Sequence, residues 1–277
     1  MRNISLKTKS FYLLLFLMFD VVSAQTLNME DIPTDNIQFG FSFDKPFYAI
    51  DRGSSTLSGV YQLSANIPLS SKLNLIGKIP FINTSFSFDY GFGQFSYSES
   101  GLGNIFIGLQ TRPFMESQSS VFTFGLFLPT ADERAASQGW AADYYGIQKY
   151  TPNSFGLYFN YAFLKMNGEG FNYGLEIGPN IVIPTEKGLK TELLMHYGIN
   201  TGYQISRLLI NVELLGVAII SEDVEDFRDR FVHTLDFGAQ WKGTIVTPKV
   251  YYKIYLRKEF SASVDGVLGI GLNVAID

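Results

Sequence analysis

The chain has 277 residues, of which 46% are hydrophobic, 16% aromatic and 17% charged. This length fits one large all-β domain, and 26 glycines with 25 phenylalanines and 16 tyrosines favour strands and turns over helices. The net charge of −5 lacks the basic excess that nucleic-acid binding requires, and the absence of cysteine excludes disulfides and thiolate metal sites.

The first 24 residues have the pattern of a cleaved export signal. Three basic residues precede an apolar run over 11–19, and Val22-Ser23-Ala24 supplies small residues before a predicted cut ahead of Gln25. The apolar run is too short to cross the roughly 30 Å of membrane hydrocarbon, which disfavours an anchor. Cleavage would leave 18 basic and 25 acidic residues, a net charge of −7. We expect residues 25–35 to form a periplasmic segment.

From residue 36 onward, apolar and polar residues alternate. The alternation is clear over 37–44, 155–163, 171–178 and 264–276, and it recurs in about twelve segments of roughly 9 to 14 residues. A β-sandwich would alternate in the same way, so the connections decide between the two folds. Short connections alternate with long ones at 83–100, 129–153 and 220–230, as in outer-membrane barrels.

The sequence therefore predicts that residues 36–277 form an all-β, antiparallel transmembrane β-barrel in the outer membrane of a Gram-negative bacterium. The short turns would lie in the periplasm and the long loops outside the cell. Gly91 and Gly93, set among aromatic residues, predict an extended hairpin above the membrane.

Three local patterns resemble a known family of outer-membrane barrels. They are Lys78-Ile79-Pro80-Phe81, the glycine-rich stretch 101–108 and Leu126-Phe127-Leu128-Pro129-Thr130. Together they resemble the family named for the meta-pathway of phenol degradation, over residues 55–130. The chain departs from that family at Asn104, where the family commonly has Asp, and at Ala131, where it usually has Gly. The resemblance implies transport across the outer membrane.

Charged residues predicted to face the lumen lie on successive strands. They are Glu176, Glu192, Glu213 and Asp236, followed by Lys249 and Lys253 on the next strand. Two interpretations are open: an ion-paired network that makes the wall rigid, or a polar constriction that selects solutes. His196 lies on the same face, where we expect a hydrogen-bonded histidine, because no further metal ligands are evident.

Inward glycines and aromatic loop residues bear on whether the lumen is open. Glycines at 174, 178, 198, 238, 269 and 271 are expected to leave space for a narrow path. The long loop 129–153 carries the candidate residues Trp140, Tyr144, Tyr145 and Tyr150. These aromatic side chains would grip a ligand, fold into the barrel mouth or rest in the lipid interface.

An enzyme is the least favoured function. Some outer-membrane lipid hydrolases place His and Ser two apart on a lipid-facing strand. Here the predicted outward His233 is flanked by Phe231 and Leu235, and His196 by Leu194 and Gly198.

The preferred function is a channel or passive transporter for small solutes, hydrophobic ones included. The alternative is a structural or partner-binding barrel with a plugged lumen, and a lipid hydrolase comes third. The expected partners are outer-membrane lipid and lipopolysaccharide, the barrel-assembly machinery and a small solute. We expect no nucleic acid, cofactor or metal.

Overall fold

A computed structural model describes residues 26–30, 35–49, 55, 57–89, 93–111, 118–165, 169–221 and 226–276. The predicted export signal, 1–24, lies outside the described residues. Thirteen strands run along the described chain. They are β1 (Ile37–Tyr48), β2 (Gly59–Ser70), β3 (Leu73–Asp89), β4 (Gln94–Leu102), β5 (Phe106–Thr111), β6 (Gln118–Phe127), β7 (Ser154–Lys165), β8 (Gly170–Pro184), β9 (Glu192–Ile205), β10 (Leu208–Ile219), β11 (Phe231–Trp241), β12 (Val246–Tyr255) and β13 (Val264–Ile276).

The strands form a closed antiparallel barrel. Apart from β4 and β5, each strand pairs with its sequence neighbours, and β1 pairs with both β2 and β13, which closes the sheet. Both β4 and β5 pair with the long β3, so together they occupy one position in the wall. The wall therefore has twelve strands, and the all-β barrel predicted from the alternation is confirmed. Closure leaves no sheet edge, which is a condition for crossing hydrocarbon.

The two faces of the wall differ in chemistry. Large apolar side chains point outward, and Leu63, Phe122 and Ile199 are 57%, 58% and 60% exposed. Amide, hydroxyl and charged side chains on the alternate positions are buried inside. Because contact between water and such a large apolar surface is unfavourable, the outer face of the barrel is suited to contact with lipid.

The connections differ at the two ends of the barrel. Ile37 pairs with Ile276, so the barrel begins and ends at the same end, beside the short turns between β2 and β3 and between β9 and β10. The other end carries the long connections, including residues 128–153, which contain helix α1 (Ala136–Ala142). A second short helix, α2 (Lys258–Ser261), joins β12 to β13.

The predicted extended hairpin is present. Residues Phe81–Asp89 of β3 pair with Gln94–Leu102 of β4, and this ladder runs beyond the part of β3 that pairs with β5. Residues 83–100, expected to form a long loop, are therefore mostly strand. Within the described ranges, no helix is long and apolar enough to cross a membrane.

Candidate functional site in the barrel lumen

Residues 26–30 lie inside the barrel; they are named the plug segment below. The sequence suggested a periplasmic position for them, yet Leu27 and Met29 are only 1% and 5% exposed. One carboxylate on β10 holds their backbone. Glu213 accepts hydrogen bonds from the N–H groups of Leu27 at 2.7 Å, Asn28 at 2.8 Å and Met29 at 3.2 Å. These three hydrogen bonds offset the free-energy cost of burying the Glu213 carboxylate away from water.

Two more of the predicted lumen acids hold the same segment. The N–H of Glu30 donates to Glu176 on β8 at 2.9 Å, and the Asn28 amide donates to Asp236 on β11 at 2.6 Å. Glu176, Glu213 and Asp236 are all buried. Three of the predicted acids thus bind the plug segment, a partner that the strand pattern does not reveal.

Hydrogen-bond donors on the lumen wall also contact the plug segment. Lys249 on β12 donates to the Leu27 carbonyl at 2.6 Å, and Gln240 on β11 donates to the Thr26 carbonyl at 3.0 Å. The Glu30 carboxylate accepts from Gln110 at 2.9 Å and from the Tyr158 hydroxyl at 3.0 Å, and it lies 3.7 Å from the Lys78 ammonium. The plug segment therefore meets both acceptors and donors, which lie near one another on β10, β11 and β12, where Glu213 pairs with Asp236 and Gln240 with Lys249.

The inward glycines do not leave empty space, and this prediction is wrong. A Cβ atom at Gly238 would lie 2.7 Å from the Leu27 side chain, and one at Gly198 would lie 3.2 Å from that of Met29. At Gly271 the stem of Lys249 lies 2.8 Å away. The missing side chains make room for the plug segment and for long neighbours in the wall, so the space is filled.

The connection over residues 129–153, here called the inner loop, also enters the barrel. Tyr150, only 1% exposed, packs with Val60 and Ile82 on the β2–β3 wall, and Trp140 lies against the same cluster. On the far side, Tyr144 packs against Tyr255. The sequence left three positions open for these aromatic side chains: around a ligand, in the barrel mouth or in the lipid interface. The structure places them in the barrel mouth.

Tyr145 of the inner loop reaches the plug-binding wall. Its hydroxyl donates to Glu176, the carboxylate that also accepts from Glu30. Burial, and then the nearby Glu176 carboxylate, raise the pKa of Tyr145 well above its ordinary value, so the hydroxyl keeps its proton and acts as a donor. Glu176 therefore joins the inner loop to the plug segment.

Asp143 is the charged centre of the inner loop. Its carboxylate lies 2.8 Å from the Lys149 ammonium and 3.7 Å from that of Lys253, which is itself 3.3 Å from Asp44 on β1. Burial alone would raise the pKa of Asp143, but Lys149 and Lys253 outweigh it and hold that pKa well below its usual range. Lys253 thus pairs with the inner loop and with β1, and both ion pairs are largely buried from bulk water.

Asn104, at the junction between β4 and β5, clamps the inner loop. It is 0% exposed, and its side-chain amide donates to the carbonyls of Gln148 at 2.9 Å and Thr151 at 2.7 Å. Its side-chain oxygen accepts from the N–H groups of Thr130 at 3.0 Å and Ala131 at 2.9 Å. The family resemblance of the glycine-rich stretch 101–108 implies no role for Asn104. The structure shows that this residue positions the inner loop.

The remaining predicted lumen residues take different positions. His196 on β9 is buried, its Nδ1 lies 3.0 Å from the Asn180 amide, and Tyr158 stacks on its ring at 5.0 Å. The imidazole and the Asn180 amide are therefore joined by a hydrogen bond inside the lumen, as expected for a hydrogen-bonded histidine. Glu192 shares the inward face but is exposed at the first residue of β9. Lys249 is half-buried beside the plug segment.

Two cavities lie between the plug segment and the inner loop. The more polar one has a volume of about 110 Å³ and is bordered by Asn28, Asp143, Lys149 and Lys249. The other has a volume of about 40 Å³ and is bordered by His196 among others. Both are large enough for ordered water.

The outward His233 contacts a tyrosine. Its Nε2 lies 2.6 Å from the Tyr197 hydroxyl, across Gly216 of the intervening strand. The Phe231 ring stacks on the imidazole at 6.1 Å. This is an aromatic cluster on the lipid-facing side, and its His partner is a phenol, not the serine that the hydrolase arrangement uses.

Comparison with solved structures shows the same fold. An outer-membrane channel from Pseudomonas putida F1 aligns with a TM-score of 0.63 and 14% identity, over 91% of this chain and 100% of that one. The NanC porin aligns with a TM-score of 0.50 and 8% identity, over 87% of this chain and 100% of that one. No family model and no curated protein matches this chain.

The fold is thus that of outer-membrane channel barrels. At these identities the likeness extends to the fold alone, and the contents of the lumen carry the functional reasoning.

Proposed function

We propose that this protein is an outer-membrane channel for small solutes, closed in the conformation described here by the plug segment and the inner loop. One observation carries the proposal. The plug segment is held in the lumen by hydrogen bonds to wall residues and lies before β1, so it can leave without breaking a strand pair. A closure of this kind is reversible, whereas wall side chains filling the lumen would be permanent.

The chemistry of the wall favours polar solutes over hydrophobic ones. Departure of the plug segment would expose Glu176, Glu213 and Asp236 together with Lys78 and Lys249. Groups that are buried against the segment would then face water in the lumen. The cost of moving a hydrophobic solute past such charges is high, because the charges would lose hydration.

The outer-membrane location and membership of the phenol-degradation family belong to this proposal. The apolar outer face, the export signal predicted from the sequence and the fold shared with a Pseudomonas putida F1 channel support the location. The motifs at 78–81, 101–108 and 126–130 support the family. A phenolic cargo does not follow from these motifs, since the lumen wall is charged.

A second candidate is a structural or partner-binding barrel whose lumen stays plugged. The filling of the lumen from both ends favours it: Leu27 and Tyr150 are each 1% exposed. The two candidates differ in one measurable property, which is whether displacement of the plug segment creates a path for ions. We do not propose an enzyme, since the arrangement at His233 offers a phenol in place of a nucleophilic serine.

Conductance in planar bilayers tests the proposal. We compare the wild type, a variant that lacks residues 26–30, and Glu213→Gln, which replaces an acceptor of three N–H bonds by a group that also donates. The matched control is Glu169→Gln, which changes an exposed acid outside the lumen. Heat-modifiable gel mobility verifies that each barrel is folded.

We expect the deletion, with Asn104→Ala added to release the inner loop, to raise the conductance strongly, Glu213→Gln to increase the frequency of opening, and the control to behave as the wild type. A folded barrel with both changes that conducts no better than the wild type would exclude the channel. The permanently plugged barrel would then be the better description.

A further inference from the structure

The contacts that hold residues 26–30 describe a binding site with its own specificity. We propose that the groove occupied by the plug segment is a binding site for short peptides, and that short peptides are a solute class this channel admits. The second half of this proposal rests on the proposed channel function; the first half does not.

The groove recognises peptide backbone. Glu213 accepts from three successive N–H groups and Glu176 from a fourth. Nearby on the same wall, Lys249 and Gln240 donate to the carbonyls of Leu27 and Thr26. An ionised carboxylate only accepts and an ammonium only donates, so the two kinds of wall group match the two polarities of a peptide group. A peptide without proline at these positions offers both polarities, whatever its side chains.

Shallow side-chain subsites add selectivity. Leu27 lies over Gly238, where a Cβ atom would be 2.7 Å away, and Met29 lies over Gly198, where it would be 3.2 Å away. The Glu30 carboxylate meets Gln110. The groove therefore suits a peptide with two apolar side chains separated by one residue and followed by an acidic one.

A sugar or a simple ion fits this groove less well. The hydroxyl groups of a sugar both donate and accept, so they do not require groups that only accept at some positions and groups that only donate at others. An inorganic anion would satisfy Lys249 and leave Glu213 unpaired, and a cation would do the reverse. The polar cavity beside Asn28, with a volume of about 110 Å³, gives room for side chains larger than those of the plug segment.

The test uses the chain that lacks residues 26–30 and a synthetic pentapeptide, Thr-Leu-Asn-Met-Glu, with both ends blocked. A matched peptide carries N-methyl groups on Leu, Asn and Met, which removes the three N–H donors that Glu213 accepts. Binding is measured by fluorescence anisotropy of labelled peptide and, separately, by block of the bilayer current. Barrels carrying Glu213→Gln and Glu169→Gln in the same background provide the site variant and its control.

We expect the unmodified peptide to bind and to block the current. N-methylation and Glu213→Gln should each weaken binding by about tenfold or more, since each disrupts several hydrogen bonds to a charged group. Glu169→Gln should leave binding unchanged. Equal binding of the two peptides, or no binding to a folded barrel, would overturn the peptide site.

The two proposals fail separately. A deletion variant that binds the peptide but never conducts, even when Asn104→Ala releases the inner loop, refutes the channel and retains the site. A variant that conducts but binds no peptide refutes the site and retains the channel. If the deletion prevents folding, the full chain is folded with a protease site inserted between residues 30 and 35 and then cut. Exchange of the released segment for the labelled peptides gives the same comparison.

Discussion

Replacing Asn104 by Ala should release the inner loop while leaving the barrel intact. The substitution removes two donors to the carbonyls of Gln148 and Thr151 and one acceptor for two N–H groups. Gln148 is buried, so its carbonyl loses a partner that water does not easily replace, whereas Thr130 is exposed and its N–H can bind water. Net values of about 0.5–1.5 kcal/mol per hydrogen bond, with the buried groups at the high end, give roughly 2–4 kcal/mol for the whole clamp.

That loss should be visible as faster amide exchange in the inner loop. A change of roughly 2–4 kcal/mol corresponds to about a 30- to 700-fold increase in the population of the open loop. The amides of Ile147 and Tyr150, which bond within the loop, report this opening, and those of β9 serve as an internal reference. The matched control is Asn83→Ala, which removes one exposed hydrogen bond to the Leu57 carbonyl. Equal exchange in both variants would refute the clamp.

Three further predictions concern orientation, charge and the family motif. Cysteines placed at the exposed positions Ser137 and Glu186 should react with an impermeant thiol reagent on intact cells, and one at Ser206 should not; the reverse pattern would invert the topology. Because the pKa of Asp143 is held well below its usual range, its ionised carboxylate stabilises the folded loop at pH values above its unfolded-state pKa of about 4. This stabilisation is lost as the pH falls further. Loop exchange should therefore rise only below about pH 4, and Asp143→Asn, with rapid exchange already at pH 7, should lack this acid step. Asn104→Asp keeps the acceptor but removes both donors, so its loop exchange should be faster than in the wild type; an unchanged rate would show that the donors contribute nothing.

The period-two alternation determined the wall of the barrel. Strands such as β8 and β9 are long, and each places apolar residues on one face and polar residues on the other, so the inward and outward sides follow from local sequence. The order of short and long connections then determined which ends lie together. Both features depend on residues near one another in the chain, which is why the fold was predictable.

The inward position of Glu176, Glu213 and Asp236 was likewise determined by the alternation, but their partners were not. A residue's place in the alternation along a strand specifies the direction of its side chain and says nothing about what lies opposite. The Leu27 N–H that Glu213 accepts is 186 residues away in the sequence, and the segment that carries it has no periodic pattern. The only local signal was the row of inward glycines, which we interpreted as open space.

The state of the lumen was decided by the tertiary structure. Aromatic residues at 140–150 are compatible with lipid, ligand or packing, and only the closure of twelve strands brings Val60, Tyr255 and Glu176 within their reach. Asn104 becomes a clamp for the same reason: its partners at 130, 131, 148 and 151 meet it when the loop turns inward. The sequence by itself determined the wall, because strand patterning is local. Only the folded barrel determined its contents, because burial inside a closed wall depends on contacts between distant parts of the chain.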